Sequence, residues 1–162
     1  MIIFVTVGTT SFDELIKAVT SKDVIILFKK LGYKSMIIQL GRGVYYPQSN
    51  ILEGFFIQWY HYKNSIESDI KQASLVISHA GAGSIIEILE ANKNLIVVLN
   101  ENLMDNHQSE LAEQLFNEKF LFYTTCHNLH PDIQKMDFEK LLPYKCGDSN
   151  LFSNFISEYF FT

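Results

Sequence analysis

Short apolar runs that alternate with helical patterns are the feature that most restricts the fold of this 162-residue chain. The runs are rich in β-branched residues and have few polar interruptions, as in "LIVVL" at 95–99. Such strands are typical of a parallel sheet that helices cover on both faces. The predicted strands are Ile2–Val7, Ser35–Leu40, Phe55–Gln58, Leu75–Ser78, Leu95–Leu99 and Phe120–Tyr123.

Helical patterns occupy the segments between these strands. The clearest helix is the one at His107–Asn117, where apolar residues recur at helical spacing. The other predicted helices are Phe12–Val19, 23–31, Lys63–Gln72, Ser84–Ala91, Asp132–Leu142 and an aromatic-rich helix at 149–161. This order predicts an α/β fold, a Rossmann-like doubly wound parallel sheet in a single domain.

Composition and charge exclude several classes of protein. The net charge of −5 and the scattered basic residues argue against nucleic-acid binding. No apolar run reaches the roughly 20 residues of a membrane span, and the start does not resemble a secretory leader, so we expect a cytoplasmic protein without a span. "CHNLH" at 126–130 suggests metal ligands, but nothing nearby completes a set, so we expect a polar turn and no metal.

Three loops should meet at one edge of the sheet, because ligands of such folds bind outside the carboxyl ends of the strands. The first loop, "VGTTSFDE" at 7–14, offers a tight turn at Gly8 and then hydroxyls. Taken alone, it is more typical of a helix capped by Ser11 and Glu14 than of a binding site.

The second loop, "HAGAG" at 79–83, follows a buried strand and precedes a predicted helix start at Ser84. Gly81 and Gly83 remove side chains where an anion could approach the N–H groups of a helix N-terminus. The spacing is neither a dinucleotide fingerprint nor a Walker A loop. Glu87 could accept hydrogen bonds from a ribose diol or, equally, form a capping box with Ser84.

The third loop, "NENLMDNHQSEL" at 100–111, is rich in amides, and Asn106 is the predicted N-cap of the next helix. His107 and Gln108 would lie at the rim of the same cleft, where an amide can both donate to and accept from a sugar. Each loop alone has an ordinary structural explanation. Together they favour a nucleotide-sugar site.

Three stretches, "FVTVGTTSFDELI", "ASLVISHAGAGSIIEILE" and "LIVVLNENLMDNHQSELAEQL", give the chain its resemblance to a known family. It resembles the cytosolic, donor-binding subunit of the two-part N-acetylglucosaminyltransferase of the dolichol pathway. "LGYKSMIIQLGRG" at 31–43 and "FLFYTTC" at 120–126 are similar to the same family. The likeness covers about residues 2–126, which implies a nucleotide-sugar-binding core at 1–126 and a helical extension of the same domain at 127–162.

This resemblance implies the donor-binding half of a GT-B glycosyltransferase, an inverting hexosyltransferase without a required metal or other cofactor. It implies transfer from UDP-N-acetylglucosamine to the lipid-linked acceptor N-acetylglucosaminyl-diphosphodolichol. The acceptor half would be a membrane-anchored partner subunit that recruits this chain to the cytosolic face of the endoplasmic reticulum. Helix 149–161 would either pack on its own domain or dock on that partner.

The same resemblance assigns the site residues. The diphosphate would be lined by residues 8–10 and 81–84. Glu87 would hold the ribose, and His107 and Gln108 would face the sugar. Uracil would rest near 58–61 unless those aromatics belong to the core. The full expected binding set is Gly8, Thr9, Thr10, His79, Ala80, Gly81, Ala82, Gly83, Ser84, Glu87, Asn106, His107 and Gln108. His79 is a weak candidate for the catalytic base, which is otherwise unassigned because that group usually lies in the acceptor half.

Two other functions fit the same residues. The chain could be the donor subunit of a bacterial-type polysaccharide glycosyltransferase, since donor-side residues carry no information about the acceptor lipid. It could also be a non-catalytic scaffold that binds a nucleotide sugar.

Overall fold

The computed structural model describes residues 1–103 and 106–145, and at 106 and 107 it describes only the backbone. The predicted helix at 149–161 therefore lies outside the described residues, as does Cys146. Within the described ranges, no helix is long and apolar enough to cross a bilayer.

Strands and helices alternate along the described chain, as expected from the sequence. The strands are β1 (Ile2–Thr6), β2 (Ser35–Gln39), β3 (Phe56–Tyr60), β4 (Leu75–His79), β5 (Asn94–Leu99) and β6 (Phe122–Thr125). The helices are α1 (Asp13–Val19), α2 (Lys22–Lys30), α3 (Glu67–Gln72), α4 (Ala82–Glu90), α5 (Asn106–Asn117) and α6 (Leu129–Lys135), followed by a 3₁₀ turn at Phe138–Lys140.

The described strands form one parallel sheet in the order β3-β2-β1-β4-β5-β6, which confirms the doubly wound prediction. The chain moves outward from β1 to β3, then returns to place β4 on the other side of β1. The carboxyl ends lie level, since Thr6 is in register with both Gln39 and Ser78. The connections after β1 and β4 therefore leave in opposite directions and open a crevice between them, where such folds bind ligands.

Two apolar clusters, one on each face of the sheet, hold the layers together. In β1, Ile3 and Val5 belong to the first cluster, with α1, α2 and α6, and Phe4 belongs to the second, with α3, α4 and α5. All three side chains have no exposed surface. Burial on both faces explains why the strands read as continuous apolar runs rather than as alternating ones.

Two predicted helices differ from the structure by more than two residues. The helix expected at Lys63–Gln72 begins only at Glu67, because Lys63 and Tyr60 both bond the buried carboxylate of Asp69 and hold the preceding segment as a loop. The helix expected at Asp132–Leu142 instead spans Leu129–Lys135, with Pro131 in its first turn, where proline is tolerated. It stops where the backbone becomes extended at Met136.

Candidate functional site in the crevice between β1 and β4

The first wall of the crevice is the loop after β1. Gly8 has φ +63°, a left-handed conformation that favours glycine, and its N–H donates to the Thr6 hydroxyl at 3.0 Å. The Thr10 hydroxyl donates back to the Val7 carbonyl at 2.8 Å. Thr9 and Thr10 are both exposed at the carboxyl edge of the sheet. The loop is thus a rigid turn whose outer surface is free to meet a ligand.

The helix that follows this loop has no side-chain cap. Its N-cap position is Phe12 and no side chain bonds there, so the capping box expected for Ser11 and Glu14 is absent. Asp13 and Glu14 occupy the first turn of α1, and two carboxylates at that end oppose the binding of an anion. The N-terminus of α1 is therefore less suited to an anion than a helix end without acidic residues.

The opposite wall is the start of α4, which begins at Ala82 rather than at the expected Ser84. The N-cap is Gly81, with no side-chain cap bond, and the first turn contains no acidic residue. The first N–H groups of a helix have no acceptor within it, and the dipole adds a partial positive charge there. This end of α4 is the part of the crevice best suited to an anion.

The two glycines of this segment differ in what surrounds them. A Cβ on Gly81 would lie 2.4 Å from His79 Nε2, so position 81 requires glycine because the His79 ring occupies that space. A Cβ on Gly83 would meet nothing within 4 Å, and Gly83 is exposed. Gly83 is therefore not required by packing within the described chain, which is consistent with a role in admitting a ligand.

His79 fills the space between the walls. A Cβ built on Gly8 would lie 3.0 Å from His79 Cε1 and 3.9 Å from Ser84 Oγ. Burial lowers the pKa of His79 below its ordinary value. A hydrogen bond with the Thr6 backbone raises this pKa, but by less than burial lowers it. Nδ1 is buried and has no well-formed hydrogen bond within the described chain. His79 is thus a neutral ring wedged between two glycines rather than an open, charged base.

A fourth loop, after β2, completes the first wall and was not predicted as part of the site. A Cβ on Gly41, whose φ is +57°, would lie 2.1 Å from the Thr10 carbonyl oxygen and 2.9 Å from that of Gly8. The Arg42 N–H donates to the Thr10 carbonyl at 2.9 Å. The sequence contained a sign of this loop, because "GRG" follows a predicted strand directly, just as "GTT" at 8–10 does.

The segment near 58–61 lies beside this fourth loop. The Gly41 carbonyl accepts a hydrogen bond from His61 Nδ1 at 2.9 Å, and Trp59 and His61 contact the ring of Tyr46. Trp59 is 38% exposed and Gln58 is also exposed. Trp59 and His61 therefore form a surface cluster with Tyr46, whereas Tyr60 ends the strand half-buried against the second apolar cluster, so both descriptions apply to parts of this stretch.

Glu87 lies in the middle of α4, is exposed, and lines a surface cavity of about 340 Å³ with Ser65 of the β3–α3 loop. Because α4 starts at Ala82, Ser84 is a helical residue and no capping box joins it to Glu87. The structural explanation for Glu87 is thereby removed. Its carboxylate is exposed in this cavity, whose other walls are α3 and the second half of α4 and which shares no lining residue with the loops at 7–11 and 79–83.

The third predicted loop also reaches the crevice. Asn102 Nδ2 donates to Glu14 Oε2 at 3.3 Å, which joins this loop to α1, and the Asn102 N–H donates to the Asn100 side chain. Asn106 was predicted to be the N-cap of α5, but in the structure it is the first residue of that helix. Gln108 is half-buried in the first turn, next to His107.

The remaining predicted residues have simple positions. Ala80 is buried and Ala82 is half-buried, so both contribute backbone rather than side-chain chemistry. Cys126 is half-buried, and burial raises the pKa of its thiol to about 12. Among the described residues, no group of three or more His, Cys, Asp or Glu side chains is arranged to hold a metal ion.

Comparison with known proteins relates this geometry to a family. The sequence model of the glycosyltransferase family 28 C-terminal domain matches residues 2–157. UDP-N-acetylglucosamine transferase subunit ALG13 of Homo sapiens is 50% identical over 147 residues, which cover 91% of this chain. The chain spans only 13% of the length of that relative.

Two solved structures share the fold. An NMR solution structure of ALG13 has a TM-score of 0.74 and 25% identity, covering 99% of this chain and 96% of the other. MurG of Acinetobacter baumannii has a TM-score of 0.61 and 18% identity, and the match covers 86% of this chain but 42% of that enzyme. The fold is therefore that of one half of a GT-B glycosyltransferase.

Proposed function

We propose a function for this chain from the premise that it belongs to the glycosyltransferase family 28 C-terminal domain family. It is the donor-binding subunit of an enzyme that transfers N-acetylglucosamine from UDP-N-acetylglucosamine to N-acetylglucosaminyl-diphosphodolichol. The human relative is named as a UDP-N-acetylglucosamine transferase subunit, which supports both the donor and the need for a second chain.

The observation that carries the proposal is the crevice between β1 and β4. The bare backbone at Gly8, Gly81 and Gly83 meets the uncapped N-terminus of α4 there, and α4 has no acidic residue in its first turn. N–H groups and a helix dipole can together hold the diphosphate of a nucleotide sugar. Thr9, Thr10 and Ser84 add hydroxyls to the same surface.

The nucleoside and the sugar would lie on opposite sides of this diphosphate. Glu87 would accept the ribose hydroxyls from its exposed position on α4, with uracil toward the β3–α3 loop. Gln108 and His107, at the start of α5, would bind the sugar, and Asn106 begins that helix. Amide side chains suit this task because they donate and accept at the same time.

Transfer with inversion requires two kinds of assistance. The leaving UDP gains negative charge as the glycosidic bond breaks, and the N-terminus of α4 stabilises that charge. A base must also take the proton of the acceptor hydroxyl. His79 is poorly suited to this role, because its ring is packed between Gly8 and Gly81. We therefore assign the base to the partner subunit.

The partner would supply the acceptor half and the membrane anchor. MurG carries this fold as 42% of a single chain, which supports the idea that the other half is needed for a complete enzyme. A membrane-anchored partner would bring this chain to the cytosolic face of the endoplasmic reticulum, where the lipid-linked acceptor is available.

Calorimetric titration of the full chain with UDP-N-acetylglucosamine tests the donor site, with UDP-glucose and ADP-ribose as controls. We expect saturable binding that is tighter than for either control. The same titration and a transfer assay on the co-expressed complex then test catalysis. Selective binding without transfer in the complex would favour the non-catalytic scaffold. Absence of binding in both preparations would contradict the proposal.

A further inference from the structure

A diphosphate in the crevice raises an electrostatic problem. Asp13 and Glu14 lie in the first turn of α1, shortly after the Gly8–Ser11 loop, so the helix end next to this loop carries two negative charges, although Asp13 accepts from the Val44 N–H and Glu14 from Asn102. His79, between the glycines, is held neutral by burial. Like charges at short range weaken binding unless a cation offsets them. The N-terminus of α4 provides only a fraction of one charge.

Arg42 is a cationic residue whose backbone contacts the first wall of the crevice. Its N–H donates to the Thr10 carbonyl at 2.9 Å, so its backbone touches the loop that would line the diphosphate. This approach depends on the neighbouring glycines. A Cβ on Gly41 would collide with the Thr10 carbonyl, and a Cβ on Gly43 would lie 2.5 Å from Asp13 Oδ1.

Asp13 fixes the loop of Arg42 without neutralising the guanidinium. Its Oδ2 accepts from the Val44 N–H at 3.2 Å, which ties the start of α1 to the segment after Gly43. The Arg42 side chain is exposed, and no hydrogen bond or ion pair engages it in the part of the chain that the structure describes. Its charge is therefore available to a ligand.

The lysines of neighbouring elements are already engaged. Lys17 of α1 stands over the Tyr45 ring, with Nζ 5.3 Å from the centroid. Lys63, after β3, forms an ion pair with Asp69 at 2.9 Å and stands over Tyr60. Neither is placed as Arg42 is, with its backbone bonded to the phosphate-lining loop.

The choice of residue type is a second, independent observation. Arg42 is the only arginine in the sequence, and the other twelve basic side chains are lysines. Arginine presents a planar fork that binds phosphate oxygens in pairs, which lysine cannot do. A chain that uses lysine for its other cations thus has arginine at the one position beside the diphosphate loop.

We propose that Arg42 is a binding residue for the donor diphosphate, whose guanidinium offsets the charge of the phosphates beside Asp13 and Glu14. The inference rests on the proposed function, since it assumes that a nucleoside diphosphate occupies the crevice. It adds a cation to a site that otherwise consists of backbone, hydroxyls and a neutral imidazole.

The test uses the full chain and the purified complex, titrated with UDP by calorimetry and with uridine by NMR. The variants are Arg42→Ala, Arg42→Lys and, as the matched control, Lys34→Ala. Lys34 precedes β2 and Arg42 follows it, so the control removes the same charge at the opposite edge of the sheet. Circular dichroism checks that each variant is folded.

We expect Arg42→Ala to raise the dissociation constant for UDP about tenfold or more, as loss of a hydrogen-bonded charge does. The dissociation constant for uridine, which has no phosphate, should not change. Arg42→Lys should give an intermediate loss, Lys34→Ala no loss, and the gap between wild type and Arg42→Ala should narrow as salt is added.

Other outcomes separate the two hypotheses. Tight UDP binding that is unchanged in Arg42→Ala would overturn the role of Arg42 and leave the proposed function intact. Unchanged UDP affinity with a lower yield of the complex would overturn it in favour of a partner contact. Equal losses for UDP and uridine would indicate a displaced loop and would also overturn it. If wild type bound UDP neither alone nor in the complex, the proposed function itself would fail.

Discussion

The two sides of the crevice are held in place by different kinds of contact. On the side of β1, β2 and β4, glycines sit where a Cβ would lie 2.1–3.0 Å from a neighbouring atom, and backbone hydrogen bonds join one loop to the next. On the side of β5, the described part of the loop is held by side chains, with a 3.3 Å bond from Asn102 to Glu14. The first side is locked by close packing of its glycines against the Thr10 carbonyl and the side chains of His79 and Asp13, and the second is held by exposed polar contacts.

This difference separates affinity from selectivity. Phosphates are common to all nucleotide sugars, so a rigid backbone cradle can bind any of them. The sugar distinguishes one donor from another, and side chains on a separate loop can be exchanged without disturbing the cradle. Substitutions on the first side should therefore affect stability and all donors together. Those on the second side should change the preference among donors.

The largest effect should come from Gly41→Ala, which forces a side chain against the Thr10 carbonyl. A left-handed residue and an overpacked contact together cost on the order of 2–4 kcal/mol. Urea unfolding should show this loss of stability. The matched control is Gly83→Ala, where a Cβ meets nothing, and it should stabilise α4 by up to about 1 kcal/mol. Equal stability of the two variants would mean that the loops are not locked as described.

Glu87→Gln should weaken binding of UDP-sugars by about 1–3 kcal/mol while leaving folding stability nearly unchanged, because no capping box is lost. Glu90→Gln is the control, since Glu90 is on the same helix and lines the same cavity. Calorimetry and urea unfolding measure the two quantities. Equal affinity in both variants would remove Glu87 from the ribose site. A loss of stability specific to Glu87→Gln would restore its structural role.

His79 should make the stability of the locked side depend on pH. Its pKa in the folded chain is lower than the ordinary 6.5 because burial disfavours the charged ring. The unfolded state therefore binds the proton first, and stability that is present above pH 6.5 is lost as the pH falls toward the folded pKa. Urea unfolding between pH 7.5 and 5 should show a shallower decline in His79→Gln than in wild type. An equally steep decline in His79→Gln would contradict this role of His79.

The smallest effect on stability should be that of Asn102→Ala, since an exposed hydrogen bond contributes little, and we expect a change below about 0.5 kcal/mol. Its effect should appear in the ratio of affinities for UDP-N-acetylglucosamine and UDP, because the loop that it holds is the one proposed to bind the sugar. A change in UDP affinity as large as that for the sugar nucleotide would contradict the division between the two sides.

Local patterns in the sequence predicted the central strands well because each is a run of apolar residues that is covered on both faces. The edge strands were predicted less well, since β3 spans Phe56–Tyr60 rather than Phe55–Gln58 and β6 spans Phe122–Thr125 rather than Phe120–Tyr123. Local patterns also misplaced the start of α4, because Ser84 and Glu87 have the spacing of a capping box. In the structure Gly81 is the N-cap, and His79 packs against it. The start of this helix is thus decided by a contact between residues at the crevice, which helix propensity does not contain.

The loop after β2 shows the same limit. "GRG" is visible in the sequence, but its position against Thr10 depends on β1 and β2 being neighbours in register, from Ile2 and Ser35 to Thr6 and Gln39. A pairing between residues about thirty positions apart cannot be read from either segment alone. The hydrogen bond from the Arg42 N–H to the Thr10 carbonyl therefore depends on the order of the strands in the sheet.

The sequence by itself determined the class of fold, the order of its elements and the three loops with unusual chemistry, because these depend on local patterning. Only the tertiary structure decided which glycines are required by a close neighbour and which face open space. It also decided that Glu87 does not cap a helix and that the backbone of Arg42 contacts Thr10. Those properties depend on distances between segments far apart in the chain. They are set by the sheet, which brings the carboxyl ends of its strands level.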